Sequence, residues 1–320
     1  MNFSLHVNGI GNAFLREFGC ECPRCRSGSP LANTSLSVIG REKGSIAWHG
    51  LVDTGMGVAD SLCANLPPRE ARLDLIMFTH WHPDHTLELN RICETLRHTR
   101  RRRGEKFHRI PAWMRAGTAK WIKNNYSYEW HRCLAPFPSA EGELPGRVLD
   151  RISLEAGDLR VTPVTVSHYS ADLDAEDFRK KTYCSASFVV ETEGKKAVLL
   201  WDLDNRNDWI ADPKSDEEKE ARKFLSSADY LFIDCFCWRT EEVLGINTGH
   251  IAFSTARKYI SALSPKLTCL VHMSGHEDEP GREGWGWDDR RWESEARRVW
   301  TEESLPGSVR VPATGEEFNM

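Results

Sequence analysis

The sequence predicts a layered α/β fold of the α+β kind, built from two sheets with helices outside. Three observations predict it: short β-type runs crowd the first third, a strand, loop and helix follow, and strand patterns then resume and alternate with helices. With 320 residues, 42 Lys and Arg against 47 Asp and Glu, and a mean hydropathy of -0.50, the chain has a globular profile rather than a fibrous or disordered one. The length suits a single domain, residues 1–320, with an insertion at about 98–147 and a C-terminal extension at about 281–320.

Ser35 to Ile39 and Ser45 to His49, the second running into Leu51 and Val52, read as a sheet meander that ends at the turn Asp53 to Gly57. Leu73 to Phe78 is an apolar run suited to a buried strand. It delivers the chain into Thr79-His-Trp-His-Pro-Asp-His85, after which Leu87, Leu89, Ile92, Cys93 and Leu96 recur at helical spacing. The stretch 98–147 opens with basic residues, has a helix-like segment at Ala119 to Asn125, and then scatters Pro136, Pro138, Gly142, Pro145 and Gly146. Strands are expected at Leu159 to Val166, Ser185 to Glu191, Ala197 to Trp201, Tyr230 to Ile233 and Leu267 to Val271. Helices are expected at Asp216 to Ser226 and Phe253 to Leu263. The tail from Gly281 is rich in Trp, Arg and Glu and shows no clear domain of its own.

No apolar run approaches the roughly 18 to 20 residues that a membrane helix needs, so no membrane partner is expected. Met1 to Gly19 lacks a basic start and an apolar stretch, and the expected location is cytoplasmic. The ten cysteines are accordingly read as thiols or metal ligands. A pI near 6.2 argues against long nucleic acid as a partner. The local basic run Arg100 to Arg103 would be either a phosphate-attracting surface or a solvated helix face. Trp81, Trp238, Trp285 and Trp287 near the presumed site would either wall an aromatic pocket or pack in the core.

His80, His82, Asp84 and His85 place four potential ligands within six residues directly after an apolar strand. Such a loop can turn several donors toward one point, and imidazoles with carboxylates suit Zn or Mn. One ion would lie at His80 and His82 and a second at Asp84 and His85. His168, Asp202 and His272 each follow an apolar strand and are the candidates for the remaining ligands. Cys20, Cys22 and Cys25 have the chelate spacing of a structural zinc site that lacks one ligand.

The order H-x-H-x-D-H, later His, Asp and final His resembles the metallo-β-lactamase superfamily over most of the chain, to about residue 280. The resemblance implies an αββα sandwich, with two mixed β-sheets flanked by helices and two divalent ions (Zn or Mn) at one edge. His80, His82 and His168 would hold the first ion and Asp84, His85 and His272 the second. Asp202 would bridge them, with Asp204 a rival in the departing sequence Trp201-Asp-Leu-Asp204. The cysteine segment resembles the PhnP-like phosphodiesterase branch. That likeness implies His276 as the fourth ligand of one structural Zn, although His272-Met-Ser-Gly-His276 is one residue longer than that branch's His-x-x-His. Asn247-Thr-Gly-His250, preceded by Asp234-Cys235, is similar to the PhnP and transfer-RNA-processing branches and implies that His250 reaches the scissile phosphate, with Asp84 orienting the attacking water. The chain also lacks a long Gly-rich arm of the transfer-RNA-processing kind. The expected function is therefore a dinuclear-metal hydrolase of a small phosphodiester, cyclic diesters included. The partner would be a small phosphorylated molecule, with a homodimer left open. The alternatives are a hydrolase of a lactone, thioester or amide, and a PqqB-like biosynthetic protein.

Overall fold

The computed structural model describes residues 1–320 except 28–30, 141–143, 175–176, 178, 240–241, 244–245 and 248. Gly142 of the expected insertion and Thr248 of the Asn247 to His250 motif lie outside the described residues. In chain order the strands are β1 (Asn2–Gly9), β2 (Ser35–Glu42), β3 (Ser45–Val52), β4 (Leu75–Met77), β5 (Ile110–Trp113), β6 (Leu134–Pro136), β7 (Arg160–Thr165) and β8 (Ala186–Thr192). Then come β9 (Lys195–Leu200), β10 (Tyr230–Asp234), β11 (Glu242–Val243), β12 (Ile246–Asn247), β13 (Leu267–Val271), β14 (Ser308–Arg310) and β15 (Glu317–Asn319). The helices are α1 (Pro23–Arg26), α2 (Val58–Asn65), α3 (Pro83–Thr86), α4 (Leu89–Arg102), α5 (Ala116–Asn125), α6 (Ser127–Arg132), α7 (Asp216–Leu225), α8 (Phe253–Leu263) and α9 (Asp289–Glu303).

Two mixed sheets form the αββα sandwich. One has the order β15-β1-β2-β3-β4-β5-β6 and the other β14-β13-β10-β9-β8-β7. Because side chains alternate across a strand, the short run of β4 serves two cores. Leu75 and Met77 enter the layer between the sheets, while Ile76 joins Phe78 in an outer layer with Leu89, Cys93 and Ile122. That double burial explains why Leu75 to Phe78 is apolar throughout.

The stretch 98–147, expected as an insertion, carries β5 and β6, which extend the first sheet in parallel from β4. The tail is knitted into both sheets, β14 pairing with β13 and β15 with β1. Helix α9 buries Trp292, Ala296, Val299 and Trp300, a helical spacing hidden in the sequence among Arg and Glu.

Strand direction positions the site. In the second sheet β9, β10 and β13 are parallel, and β7 runs the same way because it is antiparallel to β8, as β9 is. All four therefore deliver the chain to one rim, where β3 and β4 of the first sheet also end in parallel.

A buried histidine on β3 offers a test of this packing. His49 lies between the Arg72 carbonyl oxygen, which accepts from its Nδ1 at 2.7 Å, and the Ser37 hydroxyl, 2.8 Å from Nε2. Burial drives its pKa down to about 4. The unfolded chain thus binds a proton at higher pH than the fold does. Its contribution to stability is complete above about 6.5 and is lost as pH falls toward 4, by roughly 3 kcal/mol. Urea unfolding across that range should show a shallower acid decline for His49→Gln than for the native chain; parallel declines would contradict this role.

Candidate metal centre

Each chemical side chain sits just past a strand end. Val52 of β3 is followed by Asp53, β4 by the Thr79 to His85 loop, β7 by His168 and β9 by Asp202; Asp234 closes β10, and His272 follows β13. Asp53 and His272 both have φ near +61°, a left-handed turn that is uncommon for residues other than glycine. The Asp84 loop lies so close to the Asp53 turn that a Cβ on Gly55 would stand 1.8 Å from the Asp84 carbonyl oxygen, which requires glycine there.

The donor atoms of His80, His82 and His168 lie within 4.8 Å of one another, as do those of Asp84, His85, Asp202 and His272. Asp202 stands between the sets. Its Oδ2 is 3.1 Å from His85 Nε2, 3.7 Å from His80 Nε2 and 3.9 Å from His168 Nε2, and its Oδ1 is 3.1 Å from His272 Nε2. Asp204 points elsewhere, accepting from Ser167 Oγ and pairing with Arg206.

Partners behind each ring fix which nitrogen faces inward. His80 Nδ1 is 3.1 Å from Thr79 Oγ1, and His168 Nδ1 donates to the Gly249 carbonyl at 2.8 Å. His82 is turned the other way, with Nε2 3.1 Å from the Ser170 hydroxyl and Nδ1 3.1 Å from His168 Nε2. Asp53 is the anchor behind His85. Its carboxylate accepts from His85 Nδ1 at 2.8 Å, Thr79 Oγ1 at 2.8 Å, the Thr79 amide at 2.9 Å and Trp201 Nε1 at 3.0 Å.

Burial, reinforced by neighbouring imidazoles, holds His80 and His168 well below the ordinary range; burial likewise brings His82 to about 4. All three are therefore neutral at pH 7, the state in which imidazole binds a metal. Burial opposes ionisation of Asp84 and Asp202, yet the His85 and His272 rings hold both well below the usual carboxylate range. His80 Nε2 is buried without a hydrogen-bond partner, although it faces the converging donors. A buried lone pair left in that position fits a cation, as does the mixed imidazole and carboxylate set.

His250 closes the rim beside the second set. Its Nδ1 lies 3.2 Å from Asp234 Oδ2, and its ring stacks on Phe236 at 4.4 Å and on His272 at 4.9 Å. Burial opposes its charge, but the Asp234 hydrogen bond and charge outweigh this and raise its pKa to about 9.

Cys20, Cys22 and Cys25 form a separate cluster with sulfurs within 4.8 Å, and His276 Nδ1 approaches Cys25 Sγ at 3.4 Å. Backbone N–H groups of Glu17, Cys22 and Cys25 point at the three sulfurs. Burial and the adjacent Cys22 and Cys20 thiols push Cys25 up to about 12, a repulsion that a bound cation would reverse. Among the described residues the ten cysteines form no disulfide.

Reading the sequence for metal donors misses Asp53, although it follows the apolar Leu51-Val52 as each candidate ligand follows its own strand. It also misses Ser170 and Thr79, whose hydroxyls touch the His82 and His80 rings, Thr79 bonding the Asp53 carboxylate as well. The Arg100 to Arg103 run ends α4, whose start adjoins the metal loop, so helical rise carries it about 20 Å away. Trp238 and Trp287 pack with Phe253 and Trp292 in the core.

Comparison with known proteins agrees with this architecture. The family described as the β-lactamase superfamily domain matches residues 50–273, more than half of the chain, and the chain belongs to that family, one of metal-dependent hydrolases. Among solved structures, a diphosphatase of the PhnP family is 19% identical with TM-score 0.65, over 100% of this chain and 98% of that one. Zn2+-bound PqqB from Methylobacterium extorquens is 15% identical with TM-score 0.67, over 99% and 100%. The short form of human tRNase Z is 15% identical with TM-score 0.56, over 98% of each chain. At these identities the likeness concerns the fold. No curated protein matches the chain in sequence. Among the described residues no helix is long and apolar enough to cross a membrane.

Asp53→Asn turns one of four-fold engaged carboxylate's oxygens into a donor facing other donors. It should cost about 2–4 kcal/mol in chemical denaturation and weaken metal binding roughly 10- to 100-fold. Native-like stability and metal affinity in the variant would show that Asp53 does not anchor the site.

Proposed function

We propose that this member of the β-lactamase superfamily is a dinuclear-metal phosphodiesterase acting on a small phosphodiester. His80, His82 and His168 would hold one divalent ion, Zn or Mn, and Asp84, His85 and His272 the other, with Asp202 shared. Two ions so placed supply a water that ionises near neutral pH and positive charge for the oxygens of the group under attack. The chain's own residues do the rest. Asp84 accepts a hydrogen bond from the attacking water and orients it, while Asp53, Thr79, Ser170 and the Gly249 carbonyl hold the imidazoles in place.

The observation that carries the phosphodiester reading is His250, fixed by Asp234 against the ring of His272. The Asp234 carboxylate at Nδ1 stabilises the doubly protonated ring, in which Nε2 also carries a proton. At this position that proton stabilises a nonbridging phosphate oxygen or passes to the leaving oxygen. A thioester, whose thiolate departs without a proton, has less need of it. The thiols of Cys20, Cys22 and Cys25, with His276, would bind a structural Zn that takes no part in turnover.

The test is hydrolysis of cyclic nucleotides and bis(p-nitrophenyl) phosphate beside a lactone and a thioester, by the metal-replete native chain and His250→Ala. Diester turnover falling on the order of 100-fold or more in the variant is the expected result. Carbonyl substrates cleaved equally by both proteins would overturn the reading.

A further inference from the structure

A cavity of about 270 Å³ adjoins the metal loop and is not used by the chemistry described above. Its walls come from Trp81, from Lys120, Trp121 and Asn124 of α5, and from Asp174 and Thr182. Trp81 lies between two of the proposed ligands, His80 and His82, and its ring meets that of His82 edge-on at 4.7 Å. Trp121 stacks on Trp81 at 5.5 Å with 30° between the planes. The far wall belongs to a segment that also touches the metal centre. Ser170 bonds His82, the carbonyl of Ala171 accepts from Trp81 Nε1 at 3.0 Å, and Leu173 and Asp174 then line the cavity. Lys120 and Asp174 are joined across the rim at 3.1 Å.

We infer that this cavity is the subsite for a planar heteroaromatic group of the substrate, the size of one nucleobase, attached to the phosphodiester held at the metals. The volume is below that of pockets that enclose a whole drug-sized ligand, so it admits one ring system. The indole pair gives a stacking surface of the kind on which nucleobases bind through their π-faces. The ammonium, carboxylate, amide and hydroxyl around it match the mixed donors and acceptors on a base edge. A saturated alkyl group would leave the polar rim unused. Because one loop borders both places, a ring seated here reaches the reacting phosphorus through a short linker. The inference rests on the phosphodiesterase reading for the reacting group but not for the ring.

Adenosine, which carries no phosphate, separates the two. Calorimetric titration of the metal-replete protein with adenosine should show saturable binding that weakens 10-fold or more in Trp121→Ala and in Asn124→Trp. The second change fills the cavity from an exposed position and spares the core. Asn124→Trp should also lower the preference for bis(p-nitrophenyl) phosphate over methyl p-nitrophenyl phosphate about 10-fold through KM. Absence of saturable adenosine binding, or binding and preference both unaltered in Asn124→Trp, would overturn the inference. Adenosine binding lost in the variants, without turnover of any diester, would support the subsite and contradict only the phosphodiesterase reading.

Discussion

The rest of this structure depends on the crowding of seven imidazole and carboxylate groups at one rim, five of them fully or almost fully buried and with donor atoms in each set within 4.8 Å. Buried lone pairs and like charges this close are costly unless a cation lies among them or hydrogen bonds tie them down. The chain supplies the second remedy through Asp53, whose carboxylate gathers a ring, a hydroxyl, an amide and an indole from both sheets. The proposed pair of divalent ions supplies the first. Parallel strand ends make the crowding attainable, because short, register-locked strands deliver each donor to the same rim.

The N-terminal cysteines and the last ligand are mechanically linked. One short segment after β13 carries both His272, at the metal centre, and His276, 3.4 Å from Cys25. Arg24, buried inside the cysteine loop, pairs with Asp289 at the start of α9 at 2.8 Å. A Zn bound by the thiols would thus brace the backbone that presents His272, and the tail clamps the same loop from outside. The tail's β14 and β15 then close an edge of each sheet. A terminal segment that looks undistinguished in sequence thereby completes both layers.

Much of this was legible residue by residue, and the reasons differ. The proposed ligands share a rule, a polar residue directly after an apolar strand, and rules of that kind survive without coordinates. Asp53 obeys the same rule but sits in Asp-Thr-Gly, where turn chemistry masks it. Strand β1, Asn-Phe-Ser-Leu-His-Val-Asn-Gly, carries the period-two alternation of a strand in its sequence. The period of α9 was diluted by charge, and β5 and β6 are only four and three residues long, too short to carry a pattern. The Trp81 and Trp121 stack has no sequence signal, since it depends on a helix 35 residues onward folding back over the metal loop.

Anomalous scattering from crystals grown with saturating Zn or Mn, collected on both sides of the metal's absorption edge, tests the central claim most directly. The account predicts two peaks roughly 3.5–4 Å apart, one bounded by His80, His82 and His168 and one by Asp84, His85 and His272, with Asp202 between them. A single peak, or none, among these residues at saturating metal would contradict it.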